Sequence, residues 1–94
     1  MRVSTDEIRP TRVTIYNTAT AGAGWTAVAT GLRDVATWRL SERSGTEFRY
    51  CFDGVGATYM TSYGLIQRDT AISAVYVQRV GAVDITMELE CWQP

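Results

Sequence analysis

Residues 83–92 read Val83-Asp84-Ile85-Thr86-Met87-Glu88-Leu89-Glu90-Cys91-Trp92. Ile85, Met87, Leu89 and Cys91 occupy alternate positions, with Glu88, Glu90 and Trp92 between them. Successive side chains of a β-strand point to opposite faces. The segment therefore predicts a strand with one apolar and one polar face, and a helix would scatter these residues around its circumference.

The same period of two recurs towards the N-terminus. Residues 73–80 place Val75 and Val77 on one face, and Gly81 turns the chain into 83–92. Residues 65–68 and 59–62 read as short strands around Gly64. Residues 47–53 alternate sharply, with Phe48, Tyr50 and Phe52 on one face and Arg49, Cys51 and Asp53 on the other. Residues 35–41 put Trp38 and Leu40 together, and Glu42-Arg43-Ser44-Gly45 reads as a turn. Residues 25–30 read as a strand or extended segment. Residues 17–24 are small and glycine-rich, which predicts a loop. Residues 12–16 form the first strand, with Val13 and Ile15 on one face.

The 13 threonines favour pleated structure. No segment carries a helical period. Seven or eight short strands with regular turn signals predict an all-β fold, a small antiparallel β-sandwich or jelly-roll. Residues 1–10 lack apolar periodicity and end at Pro10, so they are expected to form an extended N-terminal arm. Residues 11–94 are expected to be a single sandwich domain.

A chain of 94 residues makes one domain with a thin core. Small domains gain stability from disulfides, metal or assembly. Two cysteines cannot build a disulfide-dense scaffold, and with no histidine and no CxxC pair a zinc site is not expected. Assembly remains. Residues 1–7 lack the apolar run of a signal peptide, and no stretch approaches a membrane span of about 20 apolar residues. The protein is expected to be made in the cytoplasm, where thiols stay reduced. Cys51 and Cys91 lie on strand faces expected to point to opposite sides of a layer, which predicts no bridge between them.

All nine basic residues are arginine, against ten acidic ones. A GC-rich genome explains the bias most simply, although arginine also suits interfaces through its planar fork. The arginines are scattered, so nucleic acid is not an expected partner. Nucleophilic catalysis usually needs a base beside the nucleophile, and the chain has neither histidine nor lysine. Glu88 and Glu90 stand about 7 Å apart on one strand face, a spacing shared by glycosidase carboxylates and by any solvated strand. The glycines at 22, 24, 54 and 56 stand between no strand and helix, so they predict turns rather than a phosphate loop. No catalytic, cofactor-binding or metal-binding residue is assigned, and the chain is expected not to be an enzyme.

Trp38, Phe48, Tyr50 and Phe52 are expected in the core. Trp92 shares a face with Glu88 and Glu90, where it either caps the end of the core or anchors an interface; end-capping is the simpler reading. Tyr16, Tyr59, Tyr63 and Tyr76 pose the same choice, because Trp and Tyr are enriched at interfaces. The expected partner contacts are Arg2, Arg9 and Arg12, pairing with acidic groups, together with Tyr16, Trp92 and the loops 17–24 and 53–58.

Four phrases carry a family resemblance: Glu47-Phe48-Arg49-Tyr50-Cys51-Phe52; Tyr59-Met60-Thr61 with Gly64; Ala74-Val75-Tyr76-Val77; and Asp84 to Trp92. In this order they resemble small virion structural proteins of tailed bacteriophages, capsid decoration (cement) proteins and related head or tail accessory proteins. The resemblance covers residues 35–92. It implies a β-sandwich or jelly roll that sits on the major capsid protein or another virion protein, often as a homotrimer, and strengthens the shell. A head fibre, spike base or tail component is the nearest alternative. A small carbohydrate-binding sandwich, gripping sugars on a flat aromatic platform, is the alternative of a different class.

Overall fold

The computed structural model describes residues 15–94. It contains eight strands and no helix among the described residues. They are β1 (Ile15–Ala21), β2 (Thr26–Ala29), β3 (Thr37–Glu42), β4 (Glu47–Cys51), β5 (Met60–Tyr63), β6 (Leu65–Arg68), β7 (Val75–Arg79) and β8 (Ile85–Trp92). Two four-stranded antiparallel sheets form, in the orders β1-β8-β3-β6 and β2-β7-β4-β5.

The pairing follows one rule. β1 pairs β8, β2 pairs β7, β3 pairs β6 and β4 pairs β5. The first half of the chain thus runs antiparallel to the second, like one long hairpin. Rolling that hairpin up adds the seams β3–β8 and β4–β7. This is jelly-roll topology, an eight-stranded double sheet. Of the two architectures expected from the sequence, the jelly roll is the specific one observed.

The alternation along β8 does what its sequence requires. Ile85, Met87, Leu89 and Cys91 are buried, while Thr86, Glu88, Glu90 and Trp92 are half-buried on the outer face. Beside them in the same sheet lie Trp38 and Leu40 of β3, and across the interior they meet Phe48 and Tyr50 of β4 and Val75 and Val77 of β7. Burying each large apolar side chain contributes about 1.5–3 kcal/mol, so this single cluster supplies most of the driving force.

Three sequence expectations are corrected. Residues 17–24 are not a loop, since β1 runs to Ala21 and only the last three form the turn. Asn17 interrupts the apolar alternation, but its Nδ2 donates to the Val28 carbonyl of β2 at 3.2 Å, so the amide bridges the two sheets instead of ending the strand. Glu42 does not belong to the turn: it ends β3, 5% exposed. Phe52 lies beyond β4 and is 43% exposed, although its ring still stacks edge-on against Trp38 and Tyr50.

At one corner the chain crosses from β5 to β6 through Gly64, with φ +67°. Gly64 N–H donates to the Thr46 carbonyl at 3.1 Å, and its own carbonyl accepts from Glu42 N–H at 2.7 Å. The crossing is thereby tied to the β3–β4 turn, and β5 and β6 part from each other towards their other ends.

Candidate interaction surfaces

The two sheets turn chemically different faces outward. On the first sheet, the outer positions of β8 meet those of β1 and β3. Tyr16 stands opposite Glu90, and Arg39 stands opposite Glu90 on the other side. Arg39 Nε lies 3.0 Å from Glu90 Oε1, an ion pair whose N–H is out of line for a hydrogen bond. Arg43 Nη2 donates to Glu88 Oε2 at 2.6 Å. The Tyr16 hydroxyl also hydrogen-bonds Glu88, which raises the phenol above its ordinary pKa. Arg43 first, and Tyr16 second, hold the Glu88 carboxyl below its usual range. The Arg39 guanidinium lies 5.6 Å from the centre of the Trp92 ring. Each of these two carboxylates is paired with an arginine.

The second sheet presents arginine and aromatic rings. Arg49 of β4 stands opposite Gln78 of β7 and Thr61 of β5. Its Nη1 donates to Gln78 Oε1 at 3.2 Å, and Gln78 Nε2 donates to the Ala23 carbonyl at 2.6 Å. The Arg49 guanidinium lies 5.0 Å from the Tyr59 ring centre. Tyr59 in turn meets Trp25, with centroids 6.0 Å apart and planes tilted by 51°. Tyr63, 69% exposed, continues the row; its cross-strand neighbour Glu47 raises its pKa.

The loop after β4 is shaped to fit beside this row. Asp53 Oδ1 accepts from the N–H groups of Val55 (3.1 Å) and Gly56 (3.0 Å), which closes a tight turn and lowers the carboxyl pKa. Gly56 has φ +71°, and a Cβ there would lie 2.1 Å from Trp25 Nε1. The indole is packed flush on the glycine backbone, a close approach that only Gly allows. Val55, at the tip, is 74% exposed.

The expected contact residues divide as follows. Arg2, Arg9 and Arg12 lie outside the described residues. Tyr16 is 55% exposed on the outer face of the first sheet. Trp92 shares that face, half-buried under Arg39, which fits packing at the end of the sheet. In the loop 53–58 Gly54 and Gly56 are half-buried and the other residues exposed, whereas most of 17–24 is strand. The sequence reading missed the Arg49–Tyr59–Trp25 row as a unit. The alternation of 47–53 already placed Arg49 on an outer face, but the loop that brings Trp25 and Tyr59 to it has no sequence period.

Cys51 and Cys91 form no disulfide, as expected. Cys91 belongs to the core cluster, while Cys51 is fully buried outside it, on the other side of β4 beside Asp53. Among the described residues no group of histidine, cysteine, aspartate and glutamate is arranged to hold a metal ion, and no helix is long and apolar enough to cross a membrane. Comparison with protein-family models, with curated proteins and with solved structures finds no match to this chain.

Proposed function

We propose that this chain is a non-enzymatic virion structural protein of a tailed bacteriophage, a capsid decoration protein that binds the major capsid protein and stabilises the shell. The observation that carries the docking role is the row of Arg49, Tyr59 and Trp25 on the outer face of the second sheet. Interfaces concentrate their binding energy in arginine, tyrosine and tryptophan, side chains that bury large area while satisfying a polar end. Here the row is held in place by Gln78 and by the Gly56 turn. The virion assignment rests on the resemblance of residues 35–92 and agrees with the jelly roll, a topology that also serves capsid domains. Fold alone does not specify function, and jelly rolls serve lectins as well. A flat sugar platform needs rings in one plane, and the 51° tilt between Trp25 and Tyr59 disfavours it.

In this reading three copies gather on the capsid, and many modest contacts sum through avidity. The test is occupancy on purified capsids. Arg49→Ala and Tyr59→Ala should each weaken binding by about tenfold, the scale of a residue central to an interface. Substituting Arg2, Arg9 and Arg12 together with alanine should lower occupancy and its salt dependence, since exposed ion pairs contribute only about 0–1 kcal/mol each. Undiminished occupancy in all three variants removes the docking role from both surfaces. Retention on a glycan column without capsid binding favours the carbohydrate reading.

A further inference from the structure

Where β5 and β6 part, the margin between the sheets opens into a cleft of about 330 Å³ lined by Trp38, Tyr50, Phe52, Met60, Arg68 and Thr70. Three of these form an aromatic floor. Trp38 meets Tyr50 at 6.2 Å and Phe52 at 5.9 Å, and Tyr50 meets Phe52 at 6.0 Å, all edge-to-face. Trp38 and Tyr50 are buried behind the cleft, and Phe52, 43% exposed, offers its ring to a further apolar group.

The mouth is cationic. Arg68 is in register with Trp38 and shares the core-facing side of β6 with buried Ile66. An arginine on that side of a strand projects over the opening instead of into solvent alone. Its Nη1 donates to the Gln67 carbonyl at 2.9 Å, and it has no ion pair among the described residues. Among the described residues no carboxylate lines the cleft.

Two hydroxyls add polar capacity. Thr70 Oγ1 accepts from Trp38 Nε1 at 3.0 Å, which leaves the threonine O–H to donate elsewhere. The Tyr50 side chain also lines the cleft, where burial raises its phenol pKa and the Arg68 charge opposes that rise.

We propose that this cleft binds an apolar carboxylate, with an aromatic or branched aliphatic group on the Trp38–Tyr50–Phe52 floor and the carboxylate on Arg68 and Thr70. An inward arginine on an edge strand discourages the pairing of a further strand, so the ligand is a single compact group. It is either a free acid or the last residue of a polypeptide, which share this chemistry. The site is separate from the Arg49 row and does not rest on the docking role.

The experiment titrates full-length protein with three probes, followed by amide chemical shifts and Trp38 fluorescence. The probes are 3-phenylpropionate, its uncharged amide, and N-acetyl-phenylalanine as the mimic of a chain terminus. Both acids should bind saturably with shifts centred on the cleft, and the amide about tenfold or more weaker, as expected for losing a charged hydrogen bond. Arg68→Ala should weaken the acids by a similar factor and leave the amide unchanged, while Arg68→Lys should restore part of the loss. Phe52→Ala, at an exposed position, should weaken all three. Tighter binding of N-acetyl-phenylalanine than of 3-phenylpropionate identifies a chain terminus as the source, and the reverse order identifies a free acid. Absence of saturable binding by either acid, or acid affinity unchanged by Arg68→Ala, overturns the proposal.

Discussion

Glu42 Oε1 accepts the backbone N–H of Ser44 at 2.8 Å, so the last residue of β3 ties down the turn that follows it. The same oxygen accepts from Thr46 N–H at 2.9 Å and Ser44 Oγ at 2.7 Å, and Oε2 accepts from Thr86 N–H at 3.4 Å. One buried carboxylate thus organises the β3–β4 turn and fastens it to β8. Glu42→Ala leaves these donors without an acceptor and should destabilise the fold by about 2–3 kcal/mol. Glu42→Gln keeps an acceptor oxygen and should cost less. Urea unfolding of the two variants checks the order, and equal stability of Glu42→Ala and the parent would remove the carboxylate from this role.

The same carboxylate sets an acid limit. Burial pushes its pKa up, but hydrogen bonds from Ser44, Thr46 and Thr86 outweigh that and leave it below the ordinary 4.5. Asp53 and Glu88 are lowered as well. A carboxyl lowered by folding stabilises the native state above its unfolded pKa, and that contribution is lost as pH falls through the folded value. The melting temperature should therefore hold above about pH 5 and fall steadily below it. Glu42→Gln should flatten the acid limb, which circular dichroism at stepped pH will read.

The alkaline limb has the opposite sign. Burial raises the Cys91 thiol above 9.0 and the Tyr50 phenol above 10.0. A group raised by folding gives stability that is present below its unfolded pKa and lost as pH rises through the folded one. Melting temperature should decline from about pH 9 upwards, and Cys91→Ala should delay the onset. An onset unmoved in that variant assigns the limb to the tyrosines alone.

How much of this was legible depends on the type of residue. The alternation of 85–92 and 47–51 reports burial directly, because a strand face is either inside or outside. Residues 17–21 were illegible as strand because Asn17, Thr18 and Ala19 are small or polar; what makes them β1 is pairing with β8 and the reach of Asn17 to Val28. Glu42 looked like a turn residue for the same reason that it is useful there, a polar side chain among turn formers. Its burial is a tertiary fact, set by donors from Ser44, Thr46 and Thr86. The outer surfaces were partly legible: Tyr16 and Trp92 do share a face, but the row of Arg49, Tyr59 and Trp25 comes together only through the loop 53–58.

Both thiols should be slow to react in the native protein. Cys51 and Cys91 are each fully buried and unbridged. Thiol reagents need an exposed thiolate, so labelling should track unfolding and reach both cysteines only in denaturant. Intact mass without reductant should show no two-proton loss. Rapid labelling of one thiol under native conditions would mean that its cover opens locally.

Gly56 offers the sharpest test of how the Arg49 row is held. Its φ of +71° costs an L-residue roughly 1–2 kcal/mol. A methyl group there would also overlap the Trp25 indole, with Nε1 only 2.1 Å away. The atoms nearest the methyl are all indole atoms of Trp25, so the indole has to move. Tyr59 rests against that indole, and Arg49 rests on Tyr59. Gly56→Ala should therefore displace the row while sparing the core, which lies on the other side of β4 and β7. The expected result is a loss of about 1–3 kcal/mol in unfolding free energy together with a red-shifted Trp25 emission, measured in a Trp38→Phe, Trp92→Phe background. Gly54, packed at 3.0 Å against the Tyr76 ring with φ +79°, is the control in the same loop. Gly54→Ala should destabilise by a similar amount without shifting Trp25. If both variants lower capsid occupancy equally, loop stability governs docking. If Gly56→Ala alone lowers it, the position of the indole does.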